Sequence, residues 1–470
     1  MNPILAQLAK LAHGPVPDAV RHGIPVRIID IVGIAVRAAR MDTSRAVIGF
    51  ATDQCTAAQA TAIGASDAMA ATEAAFVNGV LAHSLDYDDT HLPSILHPSA
   101  SVVPASLAVA EWRGVAGAAL VDAVAVGLEV AVRLGMGGYD HQARQSVYFE
   151  RGQHATSICG TVGSAAAAAR LLGADTDGIA HAMSIACSMA SGIIEANRAG
   201  GTVKRLHCGW AARAGVTAAQ LAARGITGPA TAVEGRFGLF RAFLGDQADL
   251  GAVISDLGDR WEAENIFYKP YPANHFTHTG IDAAIALRHR GLRLGDIDSV
   301  ILEVAPPTVR TIGEPIEAKR LPETGYQAQF SGPYTVVAGL VGGEGLGVGL
   351  EDFRDALVHA PERRELMARV DVVGDPGFMD IYPFQFPSRL TVTTVTGHTL
   401  VSEVLANRGS PDRPLSTEEL TTKYIDNTAG LVAEEVVHRT HDALCGLLTA
   451  PSIAGLLAPL TTLARTGEHP

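Results

Sequence analysis

Phe267-Tyr-Lys-Pro-Tyr-Pro-Ala-Asn-His-Phe-Thr-His278 marks the place where this chain changes character. Upstream, Ala-rich segments with helical apolar spacing alternate with loops bearing Gly, Pro and His, at 55–87, 99–112, 117–134, 160–172, 177–196 and 209–224. Downstream, strand patterns appear at 299–305, 368–373 and 389–395, the last followed by Gly397 at a hairpin turn. Helical segments persist between them at 280–289 and 334–340, so the region reads as a small α+β unit. Past Leu400 the helical pattern returns: Ser416 and Glu419 have capping-box spacing ahead of a helix over 419–423, and 428–448 is periodic again. The expected fold is mainly α. A large all-helical domain is built from 1–266 and 401–470, with a smaller α+β domain inserted at 267–400.

Composition supports this layout and excludes several functions. A chain of 470 residues exceeds one small core. Hydrophobic residues make up 47% but aromatics only 5%, so the apolar material is mostly small aliphatic and suits closely packed helices. No fixed-period repeat points to a solenoid. The formal charge of −13 disfavours nucleic acid and anionic membranes as partners, while leaving an anionic small molecule open because a few local cations decide its binding. Cys55, Cys159, Cys187, Cys208 and Cys445 are odd in number, scattered and without a CxxC pair, which fits a reducing cytoplasm. The first residues lack a secretory pattern. The apolar stretch 115–134 carries Asp122 and Glu129, which favours a buried soluble helix over a membrane span.

The densest chemistry lies at 83–98, His-Ser-Leu-Asp-Tyr-Asp-Asp-Thr-His-Leu-Pro-Ser-Ile-Leu-His-Pro. If its first part is helical, Asp86 shares a face with Asp89 and Thr90. Pro93 and Pro98 then end the helix and hold His97 in a rigid loop beside that face. A carboxylate, a hydroxyl and an imidazole are thereby offered for proton transfer at one place.

Four further segments set polar groups against small residues. Arg151-Gly-Gln-His-Ala-Thr-Ser puts His154 at the mouth of a helix. Gly200-Gly-Thr-Val-Lys-Arg-Leu-His presents Lys204, Arg205 and His207, and a lysine beside glycine backbone binds a carboxylate as a point charge. The junction itself offers Lys269 and His275, and ligand sites favour domain interfaces. Gln329-Phe-Ser-Gly-Pro-Tyr334 opens an apolar helix with a phenol. Each also has a structural reading: a histidine in an Ala-rich protein is often a satisfied core group, surface lysines are solvated, Tyr334 suits a core, and Asp88 and Asp89 suit caps. Only the joint pattern favours a site.

A metal is not expected. His83, Asp86, His91 and His97 are donors in number, yet no HExxH or matched histidine pair accompanies them. No GxGxxG, GxxxxGK[ST] or GxSxG pattern supports a nucleotide cofactor or a serine nucleophile.

Taken in order, HSLDYDDTH…HPSA, RGQHATSICGTVGSAAAAARLLG, GTVKRLHCGWAARAG, YKPYPANH and FSGPYTVVAGL resemble the MmgE/PrpD family, whose activities include 2-methylcitrate dehydration and cis-aconitate decarboxylation. The resemblance spans nearly the whole chain. It implies an all-helical domain made from both chain ends, an inserted α+β lid, and a homodimer with an active site in the cleft between domains; no cofactor is expected. Motif by motif it implies that Asp86, Thr90, His97, His154, Lys204, Lys269 and Tyr334 form the site. The chain departs from the family pattern at His97-Pro-Ser-Ala-Ser, in a loop one residue longer between Thr90 and His97, and at Arg205 in place of proline.

The implied chemistry is proton movement at a carbon next to a carboxylate. Lys204 and Lys269, helped by His154, would hold substrate carboxylates. His97 and Asp86 would exchange the proton, Tyr334 would protonate or orient a leaving group, and Thr90 would orient Asp86 or a carboxylate. A dehydratase or decarboxylase acting on a di- or tricarboxylate is the leading expectation. An epimerase using the same site, a non-catalytic dimeric scaffold and a metal hydrolase are the alternatives.

Overall fold

The computed structural model describes residues 3–461 and 463. By contact the chain divides into two units: unit 1 takes the chain up to Ile266 and again from Tyr424, and unit 2 takes Phe267–Lys423. The protein is mainly α, with its larger sheet confined to unit 2.

Unit 1 is built from α1 (Ile4–His13), α2 (Asp18–Ala38), α3 (Asp42–Gln54), α4 (Ala71–His83), α5 (Ser99–Arg113), α6 (Gly117–Met136), α7 (Ala155–Leu171), α8 (Thr176–Met189) and α9 (Leu206–Ala222), with shorter turns between them. Small side chains let these helices approach closely. A Cβ at Gly127 of α6 would lie 2.9 Å from the Gly163 carbonyl oxygen on α7, and one at Gly79 of α4 would lie 2.8 Å from Gly209 Cα on α9. The buried charges of α6 are answered from inside: Arg133 binds Glu129 one turn away and donates to the carbonyls of Ser255 at 2.6 Å and Arg260 at 2.7 Å. Glu129 accepts the Ala263 N–H at 2.9 Å. No helix among the described residues is long and apolar enough to cross a membrane.

The helix expected over 55–87 is interrupted. Residues between α3 and α4 are extended or turned, because side chains from neighbouring helices satisfy their backbone. Glu111 of α5 accepts the Thr61 N–H at 2.6 Å, and Asn78 of α4 both accepts the Ile63 N–H and donates to the Thr61 carbonyl, each at 2.9 Å. Such long-range capping is invisible to local periodicity.

Unit 2 holds α10 (His278–His289), β1 (Ile297–Val304), α11 (Gly332–Val341), β2 (Val370–Gly374), β3 (Ser388–Thr394) and β4 (Thr399–Val404). The sheet order is β2-β1-β3-β4, with β1 and β2 parallel and the other pairs antiparallel. Val300 pairs with Val370 and Val392, and Leu302 with Leu390, which places one apolar face inward. On that face α10 and α11 meet closely: a Cβ at Gly339 would be 2.8 Å from the Ala284 methyl. Gly397 turns between β3 and β4 with φ +80°, a conformation glycine adopts without strain. Position 400, where the sequence suggested that the inserted domain ends, lies within β4. Unit 2 continues to Lys423, inside α12 (Thr417–Thr428), before α13 (Glu434–Cys445). The capping box of α12 is formed: Ser416 N–H donates to Glu419 at 2.8 Å and Glu419 N–H donates to Ser416 Oγ at 3.2 Å.

Candidate active site

The segment after α4 does not continue as a helix. α4 ends at His83, Asp86 takes the left-handed conformation with φ +52°, and Thr90 and His91 are extended. Asp86 and Thr90 are therefore not helix-face partners. Aspartate tolerates that backbone better than most residues, since its short side chain bonds locally. A narrow hairpin follows, in which His91 and Leu96 exchange backbone hydrogen bonds at 2.8 and 3.3 Å. Ile95 within it has φ +56°, an outlier for a β-branched residue and a sign of local strain.

Buried charges fix this loop. Arg27 of α2 donates to Asp89 at 2.5 Å and to the Ile266 carbonyl at 3.1 Å, and Asp89 also accepts from Ser99 at the start of α5. His91 is wholly buried between Ser94, 2.7 Å from Nδ1, and Glu262, 3.3 Å from Nε2. Burial pushes the His91 pKa down, so the ring is a neutral donor to the carboxylate. Burial alone would raise Glu262, yet hydrogen bonds from His91 and Asn265, with the charge of Arg260 nearby, hold it at about 2.

The loop delivers His97 against two other elements of unit 1. Its Nδ1 lies 2.8 Å from the Asp89 carbonyl oxygen and 3.4 Å from Thr90 Oγ1, and its N–H donates to Thr156 Oγ1 on α7 at 3.2 Å. A carbonyl only accepts, so Nδ1 carries a hydrogen and Nε2 is the basic nitrogen of the neutral ring. His154 is the residue immediately before α7. Its Nδ1 is 3.0 Å from Nδ1 of His207, in the first turn of α9. Burial drives His154 well below its ordinary pKa, and the neighbouring charges of His83 and Lys204 act in the same direction. The same causes bring His207 to about 4. Two neutral rings can share one N–H···N bond, whereas two imidazoliums would oppose their hydrogens.

Lys204, in the turn just before α9, brings its Nζ 3.9 Å from Asp86 Oδ1. Here the side chains of Lys204 and His97 are 14% and 17% exposed, against 1% for His83 and 0% for Asp88, so these two offer the accessible chemistry. Arg205 turns to Thr43 of α3, at 3.2 Å. Unit 1 thus assembles Asp86, Thr90, His97, His154 and Lys204.

Both remaining sequence candidates lie in unit 2. Lys269 is buried near its start. Tyr334, in the first turn of α11, belongs to the unit 2 core: its hydroxyl donates to the Asp352 carbonyl and accepts from Arg363 at 3.0 Å. Burial pushes this phenol up to about 12 despite the Arg363 charge. Among the described residues, no group of three or more His, Cys, Asp or Glu side chains is arranged to hold a metal ion.

The pattern of the MmgE/PrpD N-terminal domain matches residues 4–250, and that of the MmgE/PrpD C-terminal domain matches residues 271–444. The chain belongs to the MmgE/PrpD family. Within it, the chain is similar to the cis-aconitate decarboxylase of Homo sapiens, 31% identical over 376 residues, covering 78% of this chain and 74% of the relative. The cis-aconitate decarboxylase of Mus musculus is 30% identical over 424 residues, covering 84% and 81%. That of Aspergillus terreus is 25% identical over 412 residues, covering 84% and 82%.

The structure adds residues to the MmgE/PrpD pattern that sequence reading left without a role. His83 and Asp88 are in contact, at 2.7 Å, only because the chain reverses at Asp86. His207 was visible beside Lys204, but its partner His154 is 53 residues away. Arg27 carried no local signal at all.

Proposed function

We propose that this protein is a cofactor-independent lyase that decarboxylates an unsaturated tricarboxylate of the cis-aconitate type. The supporting observation is the convergence in unit 1 of an accessible imidazole, His97, and an accessible ammonium, Lys204, above a floor of buried histidines and carboxylates. The names of the relatives set out above support the choice of decarboxylation and of substrate.

In the proposed reaction the C–CO2 bond breaks and its electron pair enters the conjugated C=C and carboxylate system. Lys204 stabilises the charge that develops on that carboxylate, exchanging its contact with Asp86 for one with substrate. His97, as imidazolium, gives its Nε2 proton to the carbanion, forming the new C–H bond, and regains a proton from solvent. Its Nδ1 hydrogen stays on the Asp89 carbonyl throughout, which keeps Nε2 aimed. Thr90 and the neutral His154 orient the carboxylates. Lys269 is proposed as a second carboxylate cation, and Tyr334 as a support of the unit 2 core.

The test is incubation of purified protein with cis-aconitate in D2O, followed by NMR. The expected result is release of CO2 and a dicarboxylate product carrying one deuterium per turnover. Loss of water from hydroxylated tricarboxylates instead would assign dehydration, and deuterium exchange without any product would assign epimerisation. Neither turnover nor exchange with any di- or tricarboxylate would overturn the reading.

A further inference from the structure

His83 is an imidazole that this reaction leaves unused, and it stands between His97 and His154. Its ring centroid is 5.5 Å from that of His97 and 5.5 Å from that of His154. Nδ1 lies 2.7 Å from Asp88 Oδ2 and therefore carries the hydrogen. Nε2 is buried and takes no hydrogen bond among the described residues. Asp88 is fully buried, and the same Oδ2 atom is 4.0 Å from Nδ1 of His97. One carboxylate stands between two imidazoles.

A buried carboxylate needs a compensating positive charge. Of the other acids near His83, Asp89 is neutralised by Arg27 and Asp86 faces Lys204. Asp88 Oδ2 pairs with His83 at 2.7 Å and lies 4.0 Å from His97. From the starts of α7 and α9, His154 and His207 also border the row. Two imidazoliums 5.5 Å apart in a buried setting repel, so one proton is held far more cheaply than two.

We propose that His83 and Asp88 form a positioning dyad, in which His83 carries the positive charge of the histidine row before substrate binds, the shared carboxylate couples it to His97, and His97 takes up its own proton once the substrate carboxylates are in place. The dyad does not touch substrate. It sets how tightly His97 holds the proton that His97 delivers. Burial, the first cause, lowers the proton affinity of His154 and His207, so neither of these rings competes for the proton.

This inference rests on reading the site as a proton-transfer centre, and its test needs no substrate. Imidazole 15N and 13C shifts of histidine-labelled protein are followed against pH, with His97→Asn used to assign the His97 signals. Replacing His83 by Gln leaves Asp88 acting on His97 alone and should raise the His97 pKa by about one unit. Adding Asp88→Asn to that variant should return it toward the wild-type value. An unchanged His97 titration in His83→Gln, or a rise that Asp88→Asn fails to reverse, overturns the dyad. If His83→Gln does not fold, wild-type protein decides: His97 should titrate in two steps, and a single step overturns the coupling. Coupled titration without turnover of any carboxylate would instead remove the proposed reaction and leave the dyad standing.

Discussion

Nδ1 of His97 lies 2.8 Å from the carbonyl oxygen of Asp89, eight residues earlier in the chain. That contact selects the ring's tautomer and turns Nε2 into the working nitrogen. Replacing His97 by Gln should lower kcat by about 10²- to 10⁴-fold, the range of a lost general acid. Thermal unfolding should stay near wild type because the ring is partly exposed. Wild-type kcat in this variant would remove His97 from the chemistry.

Lys204 has Asp86 as a resting partner at 3.9 Å, a distance loose enough for a substrate carboxylate to take over. Lys204→Met should raise KM by roughly ten- to a hundredfold, the equivalent of one charged hydrogen bond of about 1.5–3 kcal/mol. Steady-state kinetics over a range of substrate concentration checks this. An unchanged KM would place the carboxylate elsewhere.

The pair of Arg27 and Asp89 holds the loop that carries His97, and both side chains are buried. Arg27→Met keeps much of the volume but leaves Asp89 buried without its cation. Urea unfolding should show a loss of about 3–5 kcal/mol. The conservative Arg27→Lys should recover part of it. A change within error for Arg27→Met would mean that Asp89 is neutral in the fold.

How much of this was legible in advance depended on whether the signal was local. The junction at 267 and the Ala-rich helices could be read because period and composition are properties of neighbours. The strand over 389–395 and the turn at Gly397 were readable for the same reason. The break between α3 and α4 was not, since Glu111 and Asn78 supply its hydrogen bonds from other helices. The reversal at Asp86 was hidden too, because a left-handed aspartate has no sequence mark. That single backbone angle decides that Asp88, and not Asp86, meets His83.

Two groups give the protein separate acid windows. His207 is brought from 6.5 to about 4 by burial and then by the charges of His83 and Lys204. Between those values the unfolded chain binds a proton that the folded site refuses, so this contribution is complete above pH 6.5 and is lost as pH falls toward 4. Glu262 runs from 4.5 to about 2: burial opposes that shift, and the hydrogen bonds of His91 and Asn265 overcome it. Its contribution is present above pH 4.5 and is lost as pH falls toward 2. Urea midpoints measured against pH should therefore fall less steeply in the upper window for His207→Gln, and in the lower window for Glu262→Gln. Parallel curves for wild type and both variants would contradict these assignments.

Gly209 couples the packing of unit 1 to its chemistry. A Cβ there would lie 2.3 Å from the Phe76 carbonyl oxygen on α4, which is backbone and has no rotamer by which to yield. α9 must then move away from α4, and α9 begins at Leu206, two residues after Lys204 and one residue before His207. Overpacking of this kind costs about 1–3 kcal/mol. Gly209→Ala should therefore lower stability by that amount and also raise KM, since Lys204 shifts with the helix end. Gly23→Ala on α2 is the control: its Cβ meets nothing within 4 Å, so stability should be unchanged or slightly improved. If Gly209→Ala weakened stability while KM stayed at the wild-type value, Lys204 would be positioned by its own turn rather than by the seating of α9 on α4.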